Sequence, residues 1–69
     1  MIEVYPIGSA VTIDGDISAY IKRVCIENES GDITYECVWW DERKRVLEWL
    51  PAREITPKDP NRKTQISLT

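Results

Sequence analysis

Catalysis needs acids, bases, nucleophiles or metal ligands, and this 69-residue chain holds few in useful combinations. It has no histidine, so the side chain that titrates nearest neutral pH and most often moves protons is missing. Asp14 with Asp16, and Asp41 with Glu42, are close enough in sequence to be weighed as acid–base pairs. Each pair lies in a polar turn, where such residues serve local hydrogen bonding and solubility. Ser9, Ser18, Ser30 and Ser67 have no base to activate them, and there is no glycine-rich phosphate loop. Cys25 and Cys37 are the only cysteines. One chain with two thiols and no histidine cannot supply four zinc ligands, and the spacing is not CxxC. Buried reduced thiols are expected, with a cross-strand disulfide or a metal site shared between copies as alternatives. The chain is therefore expected to be no enzyme and to carry no catalytic residue, cofactor or metal.

The aromatic residues are the better candidates for function. All three tryptophans fall within "CVWWDERKRVLEW", residues 37 to 49. Strand alternation puts Ile33, Tyr35, Cys37 and Trp39 on one face and Thr34, Glu36, Val38 and Trp40 on the other. Thr34 and Glu36 mark the second face as the wet one. Trp39 is then expected in the core and Trp40 outside it. In "VLEWL" the same rule puts Leu47 and Trp49 on one face with Glu48 opposite, and Trp49 is assigned to the core.

A candidate binding patch follows: Trp40, Val38, Arg43 and Arg45. An exposed aromatic beside arginine has the composition of an interface hot spot, suited to a protein, a peptide or a second copy of the chain. The alternative is that "MIEVYP" or the C-terminal segment folds over the Trp40 ring. Arg43, Lys44 and Arg45, with Lys22, also have the ingredients of a nucleic-acid contact, cations for phosphates and indoles for stacking. Asp41, Glu42 and Glu48 nearly balance that cluster, and a charged hairpin tip that discourages edge-to-edge aggregation explains it equally well.

Turn chemistry shows which elements must hold these residues. "DGD" at 14–16 separates "AVTI" from "ISAYIKRVCIEN", and Asp-Gly is a strong hairpin signal. "ENESGD" at 27–32 precedes "ITYECVWW", and "DERKR" at 41–45 precedes "VLEWL". Such short connections join antiparallel neighbours, which gives a meander. In the second run Ile17, Ala19 and Ile21 share a parity that Val24 and Ile26 do not. A β-bulge at the intervening Lys22–Arg23 is expected, bending a long strand. Pro51 ends the fourth strand and opens a 3₁₀ turn, and Ile55 starts a short closing strand. Residues 57–69 have mixed charge and little to bury, and are read as a mobile tail, with an edge strand at "QISLT" as the alternative. Residues 1–56 then form a single domain.

Length and charge set the outer limits. A chain this short buries only about 60% of its unfolded surface, so large aromatics are expected for structural reasons alone. Net charge is −3, against the basic excess of a general nucleic-acid binder. No apolar run nears the roughly 20 residues of a membrane span, and no signal peptide is visible. A cytoplasmic protein with no membrane contact is expected.

These features resemble the SH3-like barrels, most closely small bacterial and phage proteins of the YodC-like type. The likeness rests on three stretches: Ile7, Gly8, Val11 and Ile13 in "IGSAVTI"; Cys37, Val38, Trp39, Trp40 and Asp41; and Leu50, Pro51, Ala52 and Ile55. It covers residues 6 to 56. It implies an all-β, five-stranded antiparallel barrel with one short 3₁₀ turn before the last strand, and it transfers no functional residues. SH3-like barrels often bind extended peptides in aromatic grooves, so a non-enzymatic interaction module is expected, with a nucleic-acid-binding barrel using residues 43–45 as the alternative.

Overall fold

The computed structural model describes residues 2–27 and 29–66. The described residues are all-β apart from one 3₁₀ turn. Its strands are β1 (Ile2–Val4), β2 (Ala10–Ile13), β3 (Ile17–Ile26), β4 (Ile33–Asp41), β5 (Lys44–Pro51), β6 (Ile55–Pro57) and β7 (Thr64–Ile66), with the 3₁₀ turn η1 at Ala52–Glu54. Five of them form an antiparallel sheet in the order β5-β4-β3-β2-β6, and β1 pairs with β7 in a second, two-stranded sheet. No helix among the described residues is long and apolar enough to cross a membrane.

The turns follow from residue type where glycine is present. Asp14 and Gly15 both take positive φ, 52° and 72°, and the Asp16 amide donates to the Ile13 carbonyl at 3.0 Å. Glycine adopts that conformation without a Cβ clash, so the Asp-Gly signal reads through to the β2–β3 hairpin. The β4–β5 turn is different. Asp41 pairs with Lys44, leaving only Glu42 and Arg43 in the loop, both at positive φ, 47° and 76°. Two side chains with a Cβ are held there in the left-handed region, at about 1–2 kcal/mol each.

The bulge in β3 lies where the parity slip places it. Ile21 faces Cys37 and Arg23 faces Glu36, so Lys22 is the extra residue. The slip returns Val24 and Ile26 to the face that holds Ile21, and both pack against the core. β3 is shared between two neighbours: Ile17–Tyr20 pairs with β2, and Tyr20–Ile26 pairs with β4. Beyond Val38 the β4–β5 hairpin has no β3 partner and runs on as a two-stranded ribbon. The molecule measures 41 × 23 × 17 Å. Its radius of gyration is 12.2 Å, above the roughly 11 Å of a compact chain this long.

The core is small. Val4, Val11, Ile13, Ala19, Ile21, Tyr35, Cys37, Leu50 and Ile55 are buried, with Trp39 and Ile66 among the half-buried residues packed on them. Each fully buried Val or Ile contributes about 1.5–3 kcal/mol. Tyr35 ties the two sheets together. Its ring stacks on Tyr5 with centroids 5.5 Å apart, and its hydroxyl accepts the Tyr5 amide at 3.1 Å. Burial pushes the Tyr35 phenol above its ordinary pKa, against the opposing pull of that hydrogen bond.

Several expectations are corrected. The described residues form seven strands rather than five, and the sheets are not closed into a barrel, because β5 and β6 remain the two ends of the larger sheet. The segment read as a tail contributes Pro57 to β6 and all of β7. Ile66 lies opposite Ile2 in register and packs on the core, so 64–66 take the edge-strand alternative. Ser67, Leu68 and Thr69 lie outside the described residues. Cys37 is buried and Cys25 exposed, and both thiols are free; Cys25 pairs with Thr34 and Cys37 with Ile21, well apart along β3, so no cross-strand bridge joins them. Burial also raises the Cys37 thiol pKa.

Candidate functional site: an outward aromatic face

Residues directly opposite in an antiparallel pair project to the same face, so the register defines the outer surface of the larger sheet. Tyr20 faces Val38 and Val38 faces Leu47, which gives one transverse row over three strands. On the tip side lies the pair Trp40–Arg45. On the other side Arg23, Glu36 and Trp49 form the next row. At ordinary strand spacings these rows cover about 10 Å by about 13 Å. The exposures are large for such side chains: Trp40 70%, Tyr20 59%, Trp49 46% and Leu47 40%.

Of the residues singled out from sequence, Trp40, Val38 and Arg45 come together here. Arg45 is directly opposite Trp40 and Val38 is its neighbour along β4. Arg43 sits in the turn, at the margin of the face. The Trp40 ring is not covered by residues 2–6 or by 57–66, and Met1 lies outside the described residues. Trp39 lies on the core side, as its parity predicts, but is half-buried against the core rather than enclosed in it.

Trp49 and Leu47 correct the reading. Parity assigns Trp49 to the core with Leu47 on the same face, yet both lie on the outer face, and Tyr20 joins them as a third component outside the candidate patch. The cause is the turn. A loop of "DERKR" left the β4–β5 register open, whereas the two-residue turn at Glu42–Arg43 makes even-numbered β4 residues face odd-numbered β5 residues. Glycine or asparagine at 42–43 would have signalled that turn; Glu and Arg do not.

Glu36 is a second correction. As a carboxylate it marks a wet face in the sequence, but only 8% of its surface is exposed. Arg23 flanks it on one side and Trp49 on the other, and Arg23 Nε lies 2.9 Å from Glu36 Oε1. That oxygen nonetheless accepts no well-aligned hydrogen bond. The contact is an ion pair lying off the N–H axis.

The other candidates do not converge. Asp14, Asp16, Asp41 and Glu42 stay exposed in their turns. Buried Ser9 donates its hydroxyl to the Pro6 carbonyl at 2.6 Å, and Ser18 accepts from Lys58 Nζ at 3.0 Å. Lys22 is exposed on the bulge. Arg43, Lys44 and Arg45 make no ion pair among the described residues, whose salt bridges are Arg23–Glu36 and Lys63–Glu3. An apolar cleft of about 240 Å³ lies beside β1 and β7, lined by Tyr5, Pro6, Ile7, Val24 and Ile66 among others. A second, of about 350 Å³, lies between residues 31–34 and 51–53.

No family model, no curated protein and no solved structure matches this chain.

Proposed function

We propose that the chain is a small non-enzymatic interaction module that binds an extended polypeptide over the outer face of its larger sheet. The observation that carries this reading is the row Tyr20–Val38–Leu47 flanked by Trp40 and Trp49, beside a strand, β5, that ends the sheet. Aromatic anchors with arginine at their margin are what binding hot spots are made of. A free strand edge offers main-chain hydrogen bonds to an added strand. The strand order, the bend at Lys22 and the 3₁₀ turn before β6 support an SH3-like ancestry for the sheet, opened rather than closed.

Selection of extended peptides from a displayed random library tests this. Binders are expected, and Trp40→Ala is expected to weaken them at least about tenfold, the loss of a hot-spot contact worth about 1.4 kcal/mol or more, while thermal unfolding stays unchanged. Peptides that bind the Trp40→Ala chain equally well would contradict the reading.

One observation favours a second reading: Arg43, Lys44 and Arg45 are exposed at the tip of the ribbon next to Trp40. A mixed-sequence single-stranded oligonucleotide, titrated at low and at physiological salt, separates the two. Phosphate contacts lose affinity steeply as salt rises; an apolar contact does not. Asp41, Glu42 and Glu48 balance the local charge, so weak oligonucleotide binding is the expected result.

A further inference from the structure

The backbone of β5 is sorted by the turn that precedes it. In a two-residue hairpin the residues flanking the loop, Asp41 and Lys44, form a hydrogen-bonded pair, and such pairs alternate along the ladder. Lys44, Val46, Glu48 and Leu50 therefore direct their N–H and C=O groups at β4. Arg45, Leu47 and Trp49 direct theirs away from it, at the end of the sheet. Among the described residues no backbone hydrogen bond outside the ladders uses these groups. The three residues with unpaired backbone are the same three that project on the outer face.

We propose that the occupant of this edge is a second copy of the chain, paired antiparallel β5 to β5 about a twofold axis at Leu47. This rests on reading the outer face as an interaction surface, and it names the partner. The sequence of β5 is complementary to itself in that register. Leu47 meets Leu47 of the second copy on the axis. Arg45 lies opposite Trp49 of the second copy, a cation over an indole, and the same contact repeats on the other side. On the opposite face Glu48 lies opposite Val46 of the second copy and diagonal to both its Lys44 and its Glu48, so one opposite-charge diagonal offsets one like-charge diagonal. No like charges are directly opposed.

Neighbouring registers are worse. An axis at Glu48 stacks two carboxylates on each other and sets Arg45 against Pro51, which has no N–H to give. An axis at Val46 sets Trp49 against Arg43, which belongs to the turn rather than the strand, and shortens the ladder. With the axis at Leu47, all of the outward-directed groups of Arg45, Leu47 and Trp49 are paired. The two larger sheets become one, with a continuous aromatic strip over its outer side. Lys44, Arg45 and Glu48, which on an isolated edge would act as charges against random pairing, become the groups that select one register.

Sedimentation of the full chain from micromolar to millimolar concentration is the test, with two kinds of variant. The unaltered chain is expected to reach twice its 8.0 kDa mass. Leu47→Lys, which puts like charges on the axis, is expected to return it to the single-chain mass, with an unfolding temperature equal to the parent's when both are read at a concentration where the parent is single. In a Cys25→Ser background, Leu47→Cys is expected to cross-link under mild oxidation, since Cα atoms of a hydrogen-bonded pair sit about 5.5 Å apart, within disulfide range. Val46→Cys, opposite Glu48 of the second copy, is expected not to.

A single-chain mass at every concentration would overturn the proposal, as would a dimer that survives Leu47→Lys or cross-links better through position 46. If the chain stays single yet still binds displayed peptides in a Trp40-dependent way, the second copy is the wrong occupant and the interaction surface stands. If it does neither, both fall.

Discussion

Trp39 and Trp40 are chemically identical neighbours on one strand, and only the two-residue period of the backbone separates their fates. Trp39 packs on the core, and Trp40 is 70% exposed. Their truncations are expected to differ accordingly. Trp39→Ala should cost about 2 kcal/mol or more by losing part-buried contacts. Trp40→Ala should stay within about 0.5 kcal/mol of the parent, as exposed sites do. Chemical denaturation of the two variants checks both figures. This pair was legible in the sequence because Ile33, Tyr35 and Cys37 set the parity. Glu36 was not. A carboxylate reads as solvent-facing until its neighbours are known, and its cover comes from Trp49 and Arg23, residues far away in sequence whose placement depends on the hairpin register and the bulge.

At the scale of elements, the β4–β5 turn decides which face of β5 carries its tryptophan. Its cost is local strain at Glu42 and Arg43, both at positive φ. Replacing them with Asn and Gly, the residues a tight hairpin favours, is expected to raise stability by about 1–2 kcal/mol without moving Trp40 or Trp49. An unfolding midpoint that stays put or falls would mean that the turn is not as described. The bulge was legible because hydrophobic parity breaks at Lys22–Arg23. The β1–β7 ladder was legible only as the edge-strand alternative at "QISLT", without its β1 partner, since β7 is three residues long with one apolar side chain inside a charged, proline-containing stretch. Ile66→Ala tests that ladder. A loss of about 1 kcal/mol is expected for a half-buried side chain reduced to alanine, whereas a free tail would show none.

For the whole molecule, the two largest commitments are a small core and an open sheet. Burial raises the pKa of both Tyr35 and Cys37, so in each case the folded state holds its proton more tightly than the unfolded chain. The resulting stability is fully present below the unfolded values, roughly 8.5 for a thiol and 10 for a phenol. It is lost as pH rises through the higher folded values. Stability measured from neutral pH upward is thus expected to hold level and then fall on the alkaline side, first through Cys37 and then through Tyr35. Cys37→Ala should remove the earlier part of that fall. The all-β class, the meander and the 3₁₀ turn before the β6 strand were readable from short polar turns and Pro51. Strand number and the failure to close were not, because closure depends on whether β5 and β6 meet, and nothing in either segment encodes that distance.

The hairpin turns Trp40 and Trp49 to solvent on one shared surface while Trp39 is held against the interior. Solvent paramagnetic relaxation of the three indole N–H signals, read on dilute protein, measures that ordering directly. Strong broadening at Trp40, intermediate broadening at Trp49 and weak broadening at Trp39 is the predicted result. Equal broadening at Trp39 and Trp40, or a Trp49 as shielded as Trp39, would contradict it.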